Sequence, residues 1–548
     1  MLLDGEHGQT SNPKQQVKIV TSFFKNQFNK DAEKIQEVQK KEMKIPFTPL
    51  EVTNAIKKLK YNKSPGMDNI CAEHLKNGPI EELSKEISEL LNETATTGLY
   101  PKEIKLGQLT PLQKPGKKAG PPSNLRPIIL LSLLRKILAI IMIKRISGRI
   151  LTRIPVTQAA YQTGRSTTEH VFAVKLLTEM AITHSNYTVH LLMLDMSKAF
   201  DTVNRKTLFV ILSEILDQDE LHILKLLTED VKLKVKIEEE LGEEITTDTG
   251  VPQGDCMSAL LFILYLAHAL KPEQSPEDQG LRKNIITEPH PTSGRKESIT
   301  LEGQYADDMF TITTNREEKE RLKRELPPQL KKFNLGVNES KTEDYKISSE
   351  SSEEWKKCKL LGSLLDTEHD IKRRKGQAMN AFRKKEKILK SNKISLNTRI
   401  RAFNAYVASI FLYNSELWTL TKNKEKKIDT FQRNLLRKIM NIKWPQIITN
   451  EELMIKTKQT NWSNTIRKKR LSWYGHVSRL DEQTPAQTAL KHVRSNNRMK
   501  KLRGGQRKTW IKNLEKDLDD LRLHPQENLT ELTRDRSVWR NRCKQTLR

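Results

Sequence analysis

The sequence predicts an α+β fold with an antiparallel β-hairpin at its centre, followed by a mostly helical region. Strand-like and helix-like segments alternate from about residue 100 to residue 366. Two β-branched and apolar runs, SITL at 298–301 and MFTITT at 309–314, flank a short acidic turn and indicate the hairpin. From residue 371 onward the pattern is helical.

The net excess of positive charge is confined to the C-terminal third. The chain has 548 residues and a net charge of +28. Residues 1–370 contain 52 Lys and Arg against 53 Asp and Glu, whereas residues 371–548 contain 44 against 15. This step predicts an α+β body joined to a region that binds a polyanion, and the alternative is a solvated basic helical surface.

Cysteine usage and hydropathy indicate an intracellular protein that does not enter a membrane. The four cysteines lie far apart without zinc-ligand spacing, which favours reduced thiols. The longest apolar run, 128–143, contains Arg135 and Lys136, so it predicts a buried or amphipathic helix rather than a membrane span. We expect a nuclear location and no membrane partner.

Two adjacent carboxylates, Asp307 and Asp308, occupy the acidic turn within QYADDMF. Like charges at a hairpin tip repel, and a bound cation is the usual way to neutralise them. A solvated acidic turn is an equally good interpretation of the YADD motif taken alone, because Asp is a common turn residue.

A third carboxylate ends a run that has the length of a buried strand. VHLLML at 189–194 is apolar throughout, as expected for a central strand, and Asp195 follows it directly. A carboxylate there is costly unless it is paired or bound to a metal ion. Asp201, six residues further on, is explained more simply as a helix cap.

Polar loops supply further candidate residues. Lys114 and Arg126 border a Lys, Gly and Pro-rich loop of the kind that can hold phosphate groups. In the VPQG turn, Gly250 and Gly254 allow close backbone approach, and Gln253 offers an amide group.

The C-terminal third combines cations with aromatic residues. It contains six of the seven tryptophans, at positions 418, 444, 462, 473, 510 and 539. We expect most of these rings to pack in the core while Lys and Arg face nucleic-acid phosphates. The run 399–420 predicts one long amphipathic helix.

The order of these segments resembles the reverse transcriptases of non-LTR, LINE-type retrotransposons. The resemblance covers roughly residues 45–515 and rests on SPGMDNI, LRPIILLS, QAAYQTGRSTTEH, LDMSKAFDTVNR, GVPQGDCMSALLF, YADD, NESKT, KLLGS, WYGHVSRL and GGQRKTW. It implies a right-hand polymerase with an N-terminal helical or loose segment at 1–46, fingers at 47–187, a palm at 188–366, a helical thumb at 367–450 and a basic nucleic-acid-binding tail at 451–548.

The resemblance also implies roles for individual residues. Asp195, Asp307 and Asp308 would ligate two Mg²⁺ ions, with Mn²⁺ as the alternative metal. The remaining assignments are Lys341 as the catalytic acid that protonates pyrophosphate, Arg126 and Lys114 as triphosphate contacts, Phe200 as the residue that crowds the 2′-carbon, and Gln253 beside the incoming nucleotide.

The function implied by the resemblance is RNA-directed DNA polymerisation from a DNA primer on an RNA template, with deoxynucleoside triphosphates as substrates. No endonuclease segment fits within the first 45 residues, so an endonuclease supplied in trans is a further expected partner. The alternatives are a maturase-like or telomerase-like polymerase and a decayed element retained as a nucleic-acid-binding protein.

Overall fold

The computed structural model describes residues 2–5, 8–28, 44–98, 101–252, 254–271, 285–287, 298–496, 507–521 and 529–545. The chain divides into two compact units, each assembled from separated stretches. The first unit comprises Met1–Tyr161, Asp195–Arg282 and Lys323–Lys341, and the second comprises Gln162–Leu194, Lys283–Leu322 and Thr342–Arg548. The subdomain boundaries given above stay predictions.

The first unit mixes short strands with helices. Its strands are β1 (Leu3–Gly5), β2 (Gly8–Thr10), β3 (Leu106–Gln113), β4 (Leu125–Leu130), β6 (Met196–Ser197), β7 (Lys232–Ile237), β8 (Glu240–Thr246) and β12 (Gly336–Val337). Its helices are α1 (Pro13–Phe28), α2 (Pro49–Lys58), α3 (Ala72–Asn77), α4 (Ile80–Thr97), α5 (Lys102–Lys105), α6 (Leu133–Leu151), α8 (Arg205–Ser213), α9 (Gln218–Thr228) and α10 (Cys256–Ala269).

A four-stranded sheet in the order β4-β3-β7-β8 anchors the first unit. Strand β3 pairs with β7 in parallel and with β4 antiparallel, while β7 and β8 form an antiparallel pair. Helix α1 packs its apolar face, which includes Val17, Val20 and Phe24, into the same buried cluster as Leu109 and Val235 of the sheet. The amphipathic pattern of α1 therefore explains how one face of the sheet is covered.

The second unit contains the remaining elements. Its strands are β5 (Val189–Leu194), β9 (Ile285–Thr287), β10 (Ser298–Tyr305), β11 (Asp308–Thr313), β13 (Glu343–Ile347), β14 (Lys359–Leu360) and β15 (Ser363–Leu364). Its helices are α7 (Thr167–Thr183), α12 (Thr367–Lys384), α13 (Glu386–Leu389), α14 (Leu396–Phe403), α15 (Ser409–Phe411), α16 (Lys422–Ile439), α17 (Asn450–Thr457), α18 (Trp462–Val477), α19 (Pro485–Ser495), α20 (Trp510–Asp520), α21 (Leu529–Arg534) and α22 (Arg536–Gln545); helix α11 (Arg316–Lys332) begins in this unit and ends in the first.

A five-stranded antiparallel sheet in the order β13-β5-β11-β10-β9 forms the centre of the second unit. Strand β5 lies between two partners and is buried along most of its length, as the apolar run predicted. Helix α7 is buried on nearly all sides and begins at a capping box formed by Ser166 and Glu169. The predicted α+β class, with a hairpin inside the sheet and helices after it, is confirmed.

Two helix predictions need correction. The apolar run 128–143 is not one helix, because its start belongs to β4 and Ser132 caps α6 after it. The segment 399–420 is helical only as far as Phe411: α14 continues into a π-helical turn at Asn404–Ala408 and then α15, and Asn414 beyond them adopts a left-handed conformation with φ of 53°. None of the helices among the described residues is long and apolar enough to cross a bilayer.

Candidate active site

The acidic turn is the tip of the β10–β11 hairpin, as predicted. Tyr305 pairs with Asp308, so Ala306 and Asp307 form a two-residue turn. Ala306 has φ of 56°, a left-handed conformation that costs a residue other than glycine roughly 1 kcal/mol. Asp307 is partly buried and Asp308 is exposed. The turn thus presents two carboxylates at one edge of the sheet.

Strand β5 brings the residue before Asp195 to the same edge. Leu194, the last residue of β5, pairs with Met309, which directly follows Asp308. Because the two strands are antiparallel, β5 ends where β11 begins. Asp195 is bonded to Leu194, and its side chain is partly exposed.

A short ladder in the first unit holds Asp195 beside Lys341. Strands β6 and β12 pair Met196 with Val337 and Ser197 with Gly336. The backbone N–H of Asn338 donates to the Asp195 carbonyl at 2.8 Å. Lys341 then donates from Nζ to Oδ2 of Asp195 at 2.7 Å. Two residues that lie 146 positions apart in the chain are therefore joined by an ion pair.

Four cationic side chains of the first unit interact electrostatically: those of Lys114, Arg126, Lys198 and Lys341. Lys114 is partly buried and donates to the Ser123 carbonyl at 2.8 Å. Burial lowers the pKa of Lys114, and the neighbouring charges of Lys198, Arg126 and Lys341 lower it further. Clustered like charges of this kind suit a polyanionic ligand, which would relieve their repulsion.

Phe200 lies in a turn that is fastened to the segment before α10. Its ring stacks on Phe262 with centroids 4.3 Å apart, and its carbonyl accepts from the Val251 N–H at 2.9 Å. A Cβ on Gly254, which has φ of 129°, would stand 2.3 Å from the Ile129 carbonyl oxygen. The predicted close approach at Gly250 and Gly254 is thus confirmed, while Gln253 lies outside the described residues.

The prediction that Asp201 caps a helix is wrong. Asn204 caps α8 by accepting from the Thr207 N–H at 3.0 Å. Asp201 is instead buried within a 3₁₀ turn, where its Oδ2 accepts from Gln27 Nε2 at 2.9 Å. Its role in the structure is to fix this turn against α1.

The described residues contain no group of three or more His, Cys, Asp or Glu side chains placed to hold a metal ion. The ligand roles of Asp195, Asp307 and Asp308 therefore stay predictions, as do the substrate contacts of Arg126, Lys114 and Phe200. The structure does bring Asp195 to Lys341, and it places both hairpin acids in one turn.

Comparison with known proteins identifies relatives of this chain. Residues 112–365 match the family described as reverse transcriptase (RNA-dependent DNA polymerase). The chain is 29% identical over 231 residues to the probable RNA-directed DNA polymerase from transposon BS of Drosophila melanogaster, covering 41% of this chain and 25% of that protein. Residues 112–365 therefore form a domain of the reverse transcriptase family.

Its relatives include non-LTR transposon proteins. The probable RNA-directed DNA polymerase from transposon X-element of Drosophila melanogaster is 24% identical over 421 residues, which is 73% of this chain and 44% of that protein. The chain thus spans less than half the length of these two relatives. Among solved structures, apo telomerase from Candida tropicalis is 14% identical, with a TM-score of 0.38 and coverage of 83% of this chain and 74% of that chain.

A buried histidine in the second unit supports the β10–β11 hairpin. His170 on α7 bonds through Nε2 to the Gln304 carbonyl at 2.8 Å, and its ring packs edge-on against Phe310. Gly303 leaves the room for this packing, since a Cβ there would stand 2.1 Å from the Phe310 ring. His170 is thus fixed against both strands of the hairpin.

We expect this contact to make stability depend on pH. Burial lowers the pKa of His170 to about 4 from 6.5, so the unfolded chain binds a proton that the folded chain excludes between these values. The free energy of unfolding should therefore fall as pH drops from 6.5 towards 4, by about 3 kcal/mol from this group. All seven tryptophans belong to the second unit, so urea unfolding followed by tryptophan fluorescence measures the effect.

The control for this prediction is His170→Gln, whose amide can still donate to the Gln304 carbonyl. The variant should lose stability less steeply on acidification than the parent protein. Parallel curves for the two proteins between pH 7 and 4.5 would contradict the prediction.

Sequence reasoning missed Lys198 and His170. Lys198 stands three residues after Asp195, in a left-handed conformation with φ of 51°, and acts on the pKa of Lys114. Its position inside the DMSKAFD segment was the available signal. His170 gave no comparable signal, because its partner is a backbone carbonyl 134 residues away.

Proposed function

We propose that the reverse transcriptase domain catalyses RNA-directed DNA polymerisation, extending a DNA primer on an RNA template with deoxynucleoside triphosphates. The observation that carries the proposal is the register of β5 and β11, which pairs Leu194 with Met309. Strand β5 therefore ends beside the start of β11, and Asp195 follows β5 directly in the chain. Two-metal nucleotidyl transfer needs carboxylates that converge on the ions, and we assign this role to Asp195, Asp307 and Asp308.

The donor set suits hard divalent cations. Reverse transcriptases generally use divalent metal ions, and Asp195, Asp307 and Asp308 offer only carboxylate oxygens, which Mg²⁺ prefers. The Lys341 ammonium group already rests 2.7 Å from Asp195 Oδ2, so positive charge is stabilised beside that carboxylate. When bound, two Mg²⁺ ions would polarise the attacking hydroxyl and offset the charge of the triphosphate.

The chain's own cations would then act on the triphosphate. Lys114 and Arg126 would hold its oxygens by charge-assisted hydrogen bonds, and Lys198 would add to the same field. Lys341 would move from Asp195 to the leaving pyrophosphate and donate a proton from Nζ. Together these residues would position the triphosphate and stabilise its charge, which are the main requirements of phosphoryl transfer.

Primer extension tests the proposal directly. The purified protein should add deoxynucleotides to a DNA primer annealed to RNA, only when Mg²⁺ or Mn²⁺ is present. A matched DNA template separates this activity from that of a DNA-directed polymerase. Tight RNA binding with no incorporation under any of these conditions would favour the decayed, nucleic-acid-binding alternative.

Phe200 is proposed to exclude ribonucleotides by crowding the 2′-hydroxyl group. Shortening it to leucine should raise the kcat/KM ratio of ribonucleotide over deoxyribonucleotide by about tenfold or more. The measurement is single-nucleotide incorporation with each substrate. Phe262→Leu is the matched control, because it loses the same stacking contact from the other side. An equal change in both variants would assign Phe200 to core packing alone.

A further inference from the structure

One tryptophan differs from all the others in its exposure. The structure describes all seven, and the side chain of Trp444 is 92% exposed. The other six are exposed by 8% or less, at positions 355, 418, 462, 473, 510 and 539. An indole in full contact with water buries no apolar surface and so does not stabilise the fold. Its exposed position indicates a role other than core packing.

Trp444 lies in a connection that is fixed by hydrogen bonds at both ends. The connection, residues 440–449, joins α16 to α17, and we call it the indole loop. The Gln446 N–H donates to the Lys443 carbonyl at 2.8 Å, which closes a turn around the indole. Arg437 Nη2 donates to Asn450 Oδ1 at 2.8 Å and ties the two helices together. The ring is thus held outward on a defined turn.

The surroundings of the indole loop are cationic. Residues 433–458 contain six Lys and Arg, at positions 433, 437, 438, 443, 456 and 458, against two acidic residues, Glu451 and Glu452. Glu452 is already paired with Lys456 at 2.6 Å. Lys438, in the last turn of α16, and Lys443, directly before Trp444, are both exposed. A polyanion is therefore attracted to the surface from which the indole projects.

This combination discriminates between two kinds of partner. The cores of protein interfaces are enriched in aromatic residues but depleted in lysine. Sites for single-stranded nucleic acid combine an aromatic platform, on which a base stacks, with cations that hold the adjoining phosphates. The exposed lysines beside Trp444 favour the second kind.

We propose that the indole loop binds single-stranded RNA by stacking Trp444 on an unpaired base, with Lys438 and Lys443 on the flanking phosphates. Stacking needs only an accessible base and is tolerant of sequence. The choice of RNA rests on the proposed function, in which the unpaired strand is the template. The site lies outside the family match at 112–365.

Fluorescence provides a direct test in the full-length protein. Because the other six tryptophans are buried, the red edge of the emission and the acrylamide-accessible fraction belong to Trp444. Addition of a 20-nucleotide single-stranded RNA should quench this fraction, and the same RNA in a perfect duplex should quench it far less. Single-stranded DNA of the same sequence shows whether quenching of Trp444 depends on the ribose 2′-hydroxyl groups.

Three variants separate stacking from charge. Trp444→Ala should weaken binding of labelled single-stranded RNA about 5- to 100-fold, and Trp444→Phe should restore most of the affinity. Lys443→Ala should keep the quenching but reduce the slope of log Kd against log salt by about one. Tyr406→Ala removes another exposed aromatic ring, at 51% exposure, and should change the affinity less than about twofold.

Several outcomes would overturn the inference. They are an unquenched indole at saturating single-stranded RNA, equal quenching by the duplex, a response to DNA alone, and unchanged RNA affinity in Trp444→Ala. A self-associated parent protein that becomes monomeric in Trp444→Ala would instead identify a protein interface. If the protein incorporates nucleotides but single-stranded RNA does not quench Trp444, only this inference is refuted. If RNA quenches Trp444 but no nucleotide is incorporated, only the proposed polymerase activity is refuted.

Discussion

Asp307→Asn is expected to reduce the rate of primer extension on an RNA template by about 1,000-fold or more. The substitution keeps the size and shape of the side chain at the hairpin turn, so the β10–β11 pairing should persist. It removes one negative charge from the proposed metal ligands, and such charge stabilisation is worth several kcal/mol in the transition state. Single-turnover incorporation at saturating primer and template is the measurement.

The matched control is Asp519→Asn, which makes the same change at an exposed position on α20. It should leave the rate within about twofold of the parent protein. Asp195→Asn should resemble Asp307→Asn, while Asp308→Asn should have the smallest effect of the three because that side chain is exposed. Incorporation at the parental rate by Asp307→Asn would remove the basis of the proposed site.

Arg135→Met is expected to destabilise the protein by about 3–5 kcal/mol. Arg135 on α6 is 1% exposed and donates from Nε and Nη2 to Oδ2 of Asp255, at 3.2 and 3.1 Å. Asp255 is 6% exposed and also caps α10, accepting from the Met257 N–H at 3.1 Å. Loss of the guanidinium group would leave a buried carboxylate without its counter-charge. Removing one partner of a buried ion pair in this way destabilises a protein more than replacing both partners does.

Urea unfolding followed by far-ultraviolet circular dichroism measures this change, because the first unit contains no tryptophan. The double variant Arg135→Met, Asp255→Asn should recover part of the loss, since asparagine still caps a helix and carries no charge. As a control, Lys390→Met removes a half-exposed partner of Glu386 and should cost less than about 1 kcal/mol. Equal losses from Arg135→Met and Lys390→Met would refute the argument.

Local patterns in the sequence were sufficient to predict the strands that carry the acids. The apolar run ending at Leu194 and the β-branched runs around Asp307 became paired strands of one sheet, because burial on both faces and alternation at a turn are local properties. Local patterns failed to predict secondary structure where tertiary contacts determine it. The apolar run 128–143 could not show where β4 ends, since strand and helix bury such a run equally well.

Contacts between distant segments were beyond sequence reasoning. The ion pair between Lys341 and Asp195 depends on the two-residue ladder of β6 and β12, which is too short to leave a hydrophobic pattern. The partly buried hydrogen bond from Gln27 to Asp201 likewise follows from tertiary packing. It holds Asp201 in a buried turn, where the sequence predicted a helix cap. Resemblance to a family named Lys341 as a candidate, but only the structure provided its partner.

The division of each unit into separated stretches has a consequence for synthesis of the protein. The sheet of the first unit takes β3 and β4 from the stretch Met1–Tyr161 and takes β7 and β8 from Asp195–Arg282. The ladder that fixes Asp195 is completed only when Gly336–Val337 has been made. At about 5–20 residues per second, the ribosome needs roughly 10–40 s between Tyr161 and Lys341. During that time the apolar face of α1 has only part of its final cover, so the nascent chain is a natural client for chaperones that shield apolar surface.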